Sequence, residues 1–339
     1  MKTISLIALK TWLDQIAAKS ALIAPRWVDG VLLYRSATGS DQIVFDYSRP
    51  KMSAKEAVLP HTEQLFTIEK EDGNVRLMDA EPARKQVIFG LRPCDAHGIA
   101  VLDSIFIKKT PADLAYARQR DQTILVGLAC PQMWEGCFCT SMGGAPDDPT
   151  HLDILLTQIE GGYEVKTVTE KGRQLLAGAE LQEVSGERDR AVHEAGVTPP
   201  PTASWPARFT DRYWELLAER CIGCRVCAYV CPTCRCFDVR DQVVEQSTQS
   251  SRYERLRCWD SCMGNNYRLT AGGHNSRPTK ASRLRNRFYC KFYYVPQDYG
   301  PTACVGCGRC IESCPVNIDI VEVLKDLRTD IALLNAEGR

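Results

Sequence analysis

Two unbroken apolar runs that end in cysteine-bearing turns, a proline-rich break near residue 205 and a duplicated CxxCxxCxxxCP run predict an α/β N-terminal domain fused to a smaller α+β domain built around metal clusters. At 339 residues, 44% of them hydrophobic, the chain is long enough for two or three packed domains and too apolar for disorder. Lys plus Arg and Asp plus Glu each number 42. Bulk charge therefore points to neither nucleic acid nor an anionic membrane surface.

The apolar run at residues 4–9 is interrupted by Lys10 and Asp14 before it reaches the length of a signal-peptide core or a membrane span, so residues 1–20 read as an amphipathic first helix. Residues 30–34, 42–45, 86–91 (QVIFGL) and 123–128 (TILVGL) read as strands. The last two lack polar alternation, as expected of strands buried on both faces of a partly parallel sheet. No GxGxxG turn follows any of them, which gives no support for dinucleotide binding by this chain. Residues 160–193 are polar and glycine-interrupted, and no chemistry reads from them. The stretch VTPPPTASWP at 197–206 cannot continue a helix or a central strand and reads as a linker, dividing the chain into domains 1–205 and 206–339. Thr210 is placed to cap a helix at 211–219 that leads to Cys221, and a last helix is expected at about 319–335.

Seventeen cysteines in close CxxC and CxC groups, without an export signal, argue for metal ligation in a reducing, cytoplasmic setting and against a disulfide scaffold. The strongest signal is the pair CIGCRVCAYVCP (Cys221 to Pro232) and CVGCGRCIESCP (Cys304 to Pro315). In such runs the first three cysteines hold one 4Fe-4S cluster and the fourth reaches the partner run's cluster. Cluster 1 is thus expected on Cys221, Cys224, Cys227 and Cys314, and cluster 2 on Cys304, Cys307, Cys310 and Cys231. Gly223 and Gly306 permit the tight turn between ligands, and Pro232 and Pro315 end the following helix. Two complete copies with trailing prolines weigh against zinc. The C-terminal domain therefore reads as a bacterial-type two-cluster ferredoxin.

Cys231 and Cys304 are separated by 72 residues, so this ferredoxin carries a large insertion at 232–303. Within it, Cys234, Cys236, Cys258, Cys262 and Cys290 either bind another metal or serve as small buried residues, the commoner role. Arg277, Lys280, Arg283, Arg285, Arg287 and Lys291 lie in an acid-free stretch with Phe288, Tyr289, Phe292, Tyr293 and Tyr294 nearby. That composition suits a solvated helix face or a docking surface better than a nucleic-acid site; nearby cations would also ease reduction of an anionic cluster. In the first domain, RPCDAHG (from Arg92) and CPQMWEGCFC (Cys130 to Cys139) follow the strands QVIFGL and TILVGL. Ligands of open α/β sheets bind beyond the carboxyl ends of strands. If the two strands are neighbours, Cys94, Cys130, Cys137 and Cys139 converge on a third 4Fe-4S cluster; otherwise they are isolated buried thiols, with Asp95 and His97 as helix caps.

Taken in order, GLRPCDAHGI, CPQMWEGCFC, CIGCRVCAYVCPTCRCFDV, WDSCM, AGGHNSRPTKASRLRNRF and CVGCGRCIESCPVNIDI resemble the iron-sulfur β subunits of sulfhydrogenases and the A subunits of anaerobic sulfite reductases. The resemblance implies an electron-carrying subunit beside an FAD- and NAD(P)-binding diaphorase subunit. The catalytic subunit of such a complex would be a hydrogenase, a sulfite or sulfur reductase, or of heterodisulfide reductase type. Cys258 and Cys290 stand outside the pattern. A different class of function, a catalytic reductase using Arg92, Asp95 and His97 for charge or protons, would show turnover by the isolated chain. A cluster-based nucleic-acid sensor would require salt-dependent binding to DNA or RNA.

Overall fold

The computed structural model describes residues 1–184, 196–247 and 249–337; the end of the uninformative 160–193 stretch, from 185 onward, lies outside the described residues. The chain opens not on a helix but on a short strand, β1 (Lys2–Ser5), which passes directly into α1 (Leu6–Lys19). The Ser5 hydroxyl caps that helix by accepting from the Ala8 N–H at 3.2 Å. There follow β2 (Ala21–Val28), β3 (Val31–Ala37), β4 (Thr62–Glu71), β5 (Asn74–Asp79), β6 (Gln86–Leu91), α2 (Pro93–Phe106), α3 (Leu114–Asp121), β7 (Thr123–Leu128), β8 (Ile154–Ile159), β9 (Gly162–Thr167), α4 (Glu170–Leu175) and β10 (Gln182–Glu183). The expected strand at 42–45 is absent. Val44 makes one backbone bond, to the Pro25 carbonyl at 2.9 Å, after a single tight turn at Ser40–Gln42.

Eight strands form one mixed sheet in the order β10-β1-β9-β8-β7-β6-β2-β3, parallel through β2, β6, β7 and β8 and antiparallel at both margins. The runs QVIFGL and TILVGL are its central strands, neighbours and parallel. Their side chains alternate between two cores. Val87, Phe89, Val126 and Leu128 face α1 residues such as Leu9 and Leu13, while Ile88, Leu91 and Leu125 face Ile99 and Leu102 of α2. Burial on both faces explains why these strands carry no polar alternation.

The rest of the chain supplies α5 (Tyr213–Arg220), α6 (Val226–Tyr229), β11 (Phe237–Gln246), β12 (Ser250–Trp259), α7 (Lys280–Tyr289), a π-helical turn (Cys290–Tyr294), α8 (Val295–Tyr299), α9 (Arg309–Glu312) and α10 (Ile320–Glu337). Asp211, rather than Thr210, steadies the start of α5, its carboxylate accepting from the Tyr213 N–H at 2.8 Å. The proline-rich stretch is packed down. Trp205 is buried among Trp214, Tyr289 and Phe292, and Val197 N–H donates to Ser141 Oγ at 3.0 Å.

The hairpin β11–β12 does not stand alone. It completes a four-stranded antiparallel sheet, β11-β12-β4-β5, with β12 and β4 in register from Ser250 opposite Glu71 to Cys258 opposite Thr62. Arg257 of β12 is buried and bonds Glu63 on β4, Nε to Oε2 at 2.9 Å. Segments from either side of residue 205 thus share one sheet, which fixes the two cysteine-rich regions against each other. A similar constraint acts at Gly98 of α2, where a Cβ would meet the Pro232 ring at 2.5 Å.

Candidate iron-sulfur centres

The turn after α5 and the turn before α10 face one small cavity. Its wall carries Cys221, Cys224, Cys227 and Cys314 among apolar side chains such as Met263 and Leu284, with Arg287 and Cys310 on the inner side. Cys314 also receives the Ile318 N–H at 3.3 Å and Cys221 the Gly223 N–H at 3.4 Å. These backbone donors point at the sulfurs, as expected where thiolates carry negative charge.

Cys231 lies near Cys304, Cys307 and Cys310, whose thiols it raises, and also near Cys227 of its own run. Burial pushes the Cys304 thiol up to about 11 and the Cys310 thiol up to about 12, opposed by Lys291 and Arg287 respectively. Lys291 is buried in the π-helical turn and its Nζ donates to Cys231 Sγ at 3.1 Å, Thr233 Oγ1 at 3.1 Å and the Ala303 carbonyl at 3.0 Å. Burial disfavours its charge, but the thiols of Cys231, Cys234 and Cys304 outweigh that cost, and the ammonium is held well above its ordinary range.

The third set lies beyond the carboxyl ends of β6 and β7. Cys94 lies in the first turn of α2, behind Pro93 at the first helical position, and Cys130 follows β7. Cys139 and Cys137 both raise Cys130, whereas Cys94 packs beside Cys307 and feels Asp95 and Cys307 ahead of Cys130. Burial pushes Cys130 up to about 12 and Cys139 up to about 11. Arg49 reaches in from the loop after β3, Nη1 to Cys137 Sγ at 2.8 Å.

The second and third sets are interlocked. Phe138 N–H donates to the Gly306 carbonyl at 2.8 Å, and Gly306 has φ +64° with the Phe138 backbone where a Cβ would be; only glycine allows this approach. Arg309 and Asp95, each 1% exposed, pair at 2.8 Å across the same boundary. The first and second sets are joined by Arg287, buried and facing Cys227, Cys310, Cys234 and Cys231. The second set thus neighbours both of the others.

Among the described residues no group of three or more His, Cys, Asp or Glu side chains is arranged to hold a single metal ion. Thiols spread around a cavity, backed by buried cations and backbone N–H donors, instead fit polynuclear iron-sulfur clusters, which take one thiolate at each iron. The 4Fe-4S dicluster domain family matches residues 220–318. Over 312 residues the chain is 33% identical to Sulfhydrogenase 2 subunit beta of Pyrococcus furiosus, an alignment covering 87% of this chain and 88% of the relative.

The chain belongs to the sulfhydrogenase β-subunit family.

No solved structure matches it. As a family member it is an iron-sulfur electron-transfer subunit of an oxidoreductase, a mixed α/β protein with a 4Fe-4S dicluster domain in its C-terminal part. No helix among the described residues is long and apolar enough to cross a membrane.

Several residues of this β-family chain act in ways its sequence did not disclose. The basic stretch at 277–291 reads as a solvated or docking face, yet Arg283, Arg287 and Lys291 are buried, and the last two face thiols. Their polarity reflects the anionic sites they serve. Lys55 is buried too, its Nζ donating to the Cys234 carbonyl at 2.9 Å and standing 4.0 Å from the Trp259 ring centroid. Arg49 and Lys55 belong to a segment without any motif; Arg309, charged yet lodged between two cysteines of a ligand run, was the one visible signal. Of the groups considered for acid-base work, Arg92 is committed to backbone carbonyls of Ser48, Leu128 and Ala129, and Asp95 to Arg309 and Tyr34. His97 stacks on His151, ring centroids 5.0 Å apart, and burial lowers its pKa.

Of the remaining cysteines, Cys258 lies within β12, and Cys290 accepts from Arg235 Nη1 at 3.5 Å. Cys234 lies beside Cys231, and Cys236 beside Cys262, each pair perturbing its partner's thiol.

Proposed function

We propose that this subunit relays electrons along three 4Fe-4S clusters between an FAD- and NAD(P)-binding diaphorase subunit and a catalytic oxidoreductase subunit, in the cytoplasm. Cluster 1 is assigned to Cys221, Cys224, Cys227 and Cys314, cluster 2 to Cys304, Cys307, Cys310 and Cys231, and a third to Cys94, Cys130, Cys137 and Cys139. When bound, such clusters supply one-electron transfer without an open coordination position. The observation that supports this reading is the contact of the second thiol set with the first through Arg287 and with the third through the Phe138–Gly306 bond.

The protein's own part is to fix spacing and charge. The Asp95–Arg309 pair and the shared antiparallel sheet hold the α/β layer and the dicluster region in one register. Arg287, Lys291 and Arg49 each place a cation beside a thiol set, favouring the more negative, reduced state. The 1–205 and 206–339 domains and the 232–303 insertion remain useful units for this reading, the hairpin of the insertion bracing the two. The test is anaerobic mixing of the purified chain with NAD(P)H, with and without a co-purified flavin subunit. Visible cluster absorbance should bleach only with the flavin subunit present. Oxidation of NAD(P)H by the isolated chain at ~1 per second or faster would contradict the relay.

A further inference from the structure

One pair of thiols remains outside the three sets. Cys236 immediately precedes β11 and Cys262 follows β12; Phe237 is paired with Trp259, and the Asp260 N–H donates to the Cys236 carbonyl at 2.9 Å. The hairpin therefore brings the two cysteines to the same wall, where each thiol lies close enough to perturb the other. They form part of the wall of an open cavity of about 360 Å³, which Cys290 also lines.

The cavity's chemistry has one sign. Arg235, Arg268 and Arg277 line it, and no Asp or Glu is among its lining residues. Arg277 Nη1 is buried without a hydrogen-bond partner, a costly state that an anionic guest would relieve. Tyr267 stands on the same wall and helps to lower the Cys236 thiol. A thiol paired with a second thiol, an arginine-rich wall and an unsatisfied guanidinium together describe a place where an anion carrying a sulfur-sulfur bond would be bound and attacked.

We propose that Cys236 and Cys262 form a redox-active dithiol that reduces small anionic disulfides bound in this cavity. The Cys236 thiolate attacks one sulfur of the guest; its S–S bond breaks, a mixed disulfide forms, and the first guest thiol leaves carrying a proton. Cys262 then attacks the Cys236 sulfur, releasing the second guest thiol with the other proton. The guest gains two electrons and two protons, and the pair ends as the Cys236–Cys262 disulfide. Two electrons and two protons from a low-potential one-electron donor restore the dithiol. Cys236 is suited to the first attack, because Cys262, Tyr267 and Arg235 beside it hold its thiol down at about 6. The inference requires that Cys236 and Cys262 hold no metal, and is otherwise independent of how the twelve cysteines of the three sets are divided among clusters.

The test uses the full chain, prepared anaerobically with its iron, treated with oxidised glutathione as the anionic disulfide and with cystamine as its cationic counterpart. After alkylation and digestion, mass spectrometry should find a Cys236–Cys262 disulfide peptide with iron content unchanged. It should form roughly tenfold faster with glutathione disulfide than with cystamine, and Arg277→Gln should shrink that preference. Cys262→Ser should trap a glutathione adduct on Cys236, a product that needs no activity assay and that a purely structural pair would not give. Three results would overturn the proposal: no Cys236–Cys262 disulfide at full iron content, equal rates for both disulfides, or loss of bound iron or zinc when both cysteines are changed to serine.

Discussion

Lys291 is the cation whose effect on the iron-sulfur centres is most open to measurement. Its Nζ lies 3.1 Å from Cys231 Sγ in a buried site, so Lys291→Met removes one positive charge while keeping most of the side-chain volume. With the added electron centred about 6 Å from the ammonium and an effective dielectric of about 20, Coulomb's law gives about 2.8 kcal/mol. For one electron this equals about 120 mV. Loss of a cation disfavours the more negative, reduced state, so the sign is toward a lower potential. An EPR-monitored redox titration of the anaerobic chain should show one centre shifted down by roughly this amount and the other two much less. Lys291→Arg, which keeps the charge, should restore most of the potential. A shift below about 20 mV at full iron content, equivalent to only about twofold in the equilibrium constant, would refute the electrostatic role.

Cys314→Ala should cost the centre shared with Cys221, Cys224 and Cys227, leaving the signal of the Cys304 set intact; loss of the latter alone would contradict the crossed assignment. Asp95→Asn leaves Arg309 buried without its counter-charge and should destabilise the anaerobic chain by about 3–5 kcal/mol in chemical denaturation, with Asp95→Leu plus Arg309→Met recovering much of the loss. The alkylation rate of Cys236 should rise with pH through about 6 and level off above it, because the thiolate is the reactive form. A midpoint near the ordinary thiol value of about 8.5 would remove the basis for an activated Cys236.

Much of the site was legible because ligand spacing is a local property. The CxxCxxCxxxCP runs carry their own turns in their spacing, and Cys314 and Cys310 of the second run line one cavity with Cys221, Cys224 and Cys227 of the first. QVIFGL and TILVGL coincide with β6 and β7 to the residue, because strands buried on both faces leave an uninterrupted apolar record. The hairpin β4–β5 and its pairing with β11–β12 were not foreseen. Those strands alternate or are largely exposed, and the partner lies more than 150 residues away, a separation no local pattern encodes. Residues 42–45 misled in the opposite sense, since three apolar residues, Ile43, Val44 and Phe45, that cover the core from a loop look like a strand. The buried cations were hidden for a related reason. Arg287 and Lys291 are polar by composition, and only the thiols opposite them make their burial favourable.

The central claim is that three centres, not two, occupy this subunit, and iron counting on the anaerobically prepared chain tests it most directly. The account predicts about twelve irons per chain, falling by about four when Cys137 and Cys139 are both changed to serine. About eight irons in the unaltered chain, with no change in the double variant, would contradict it.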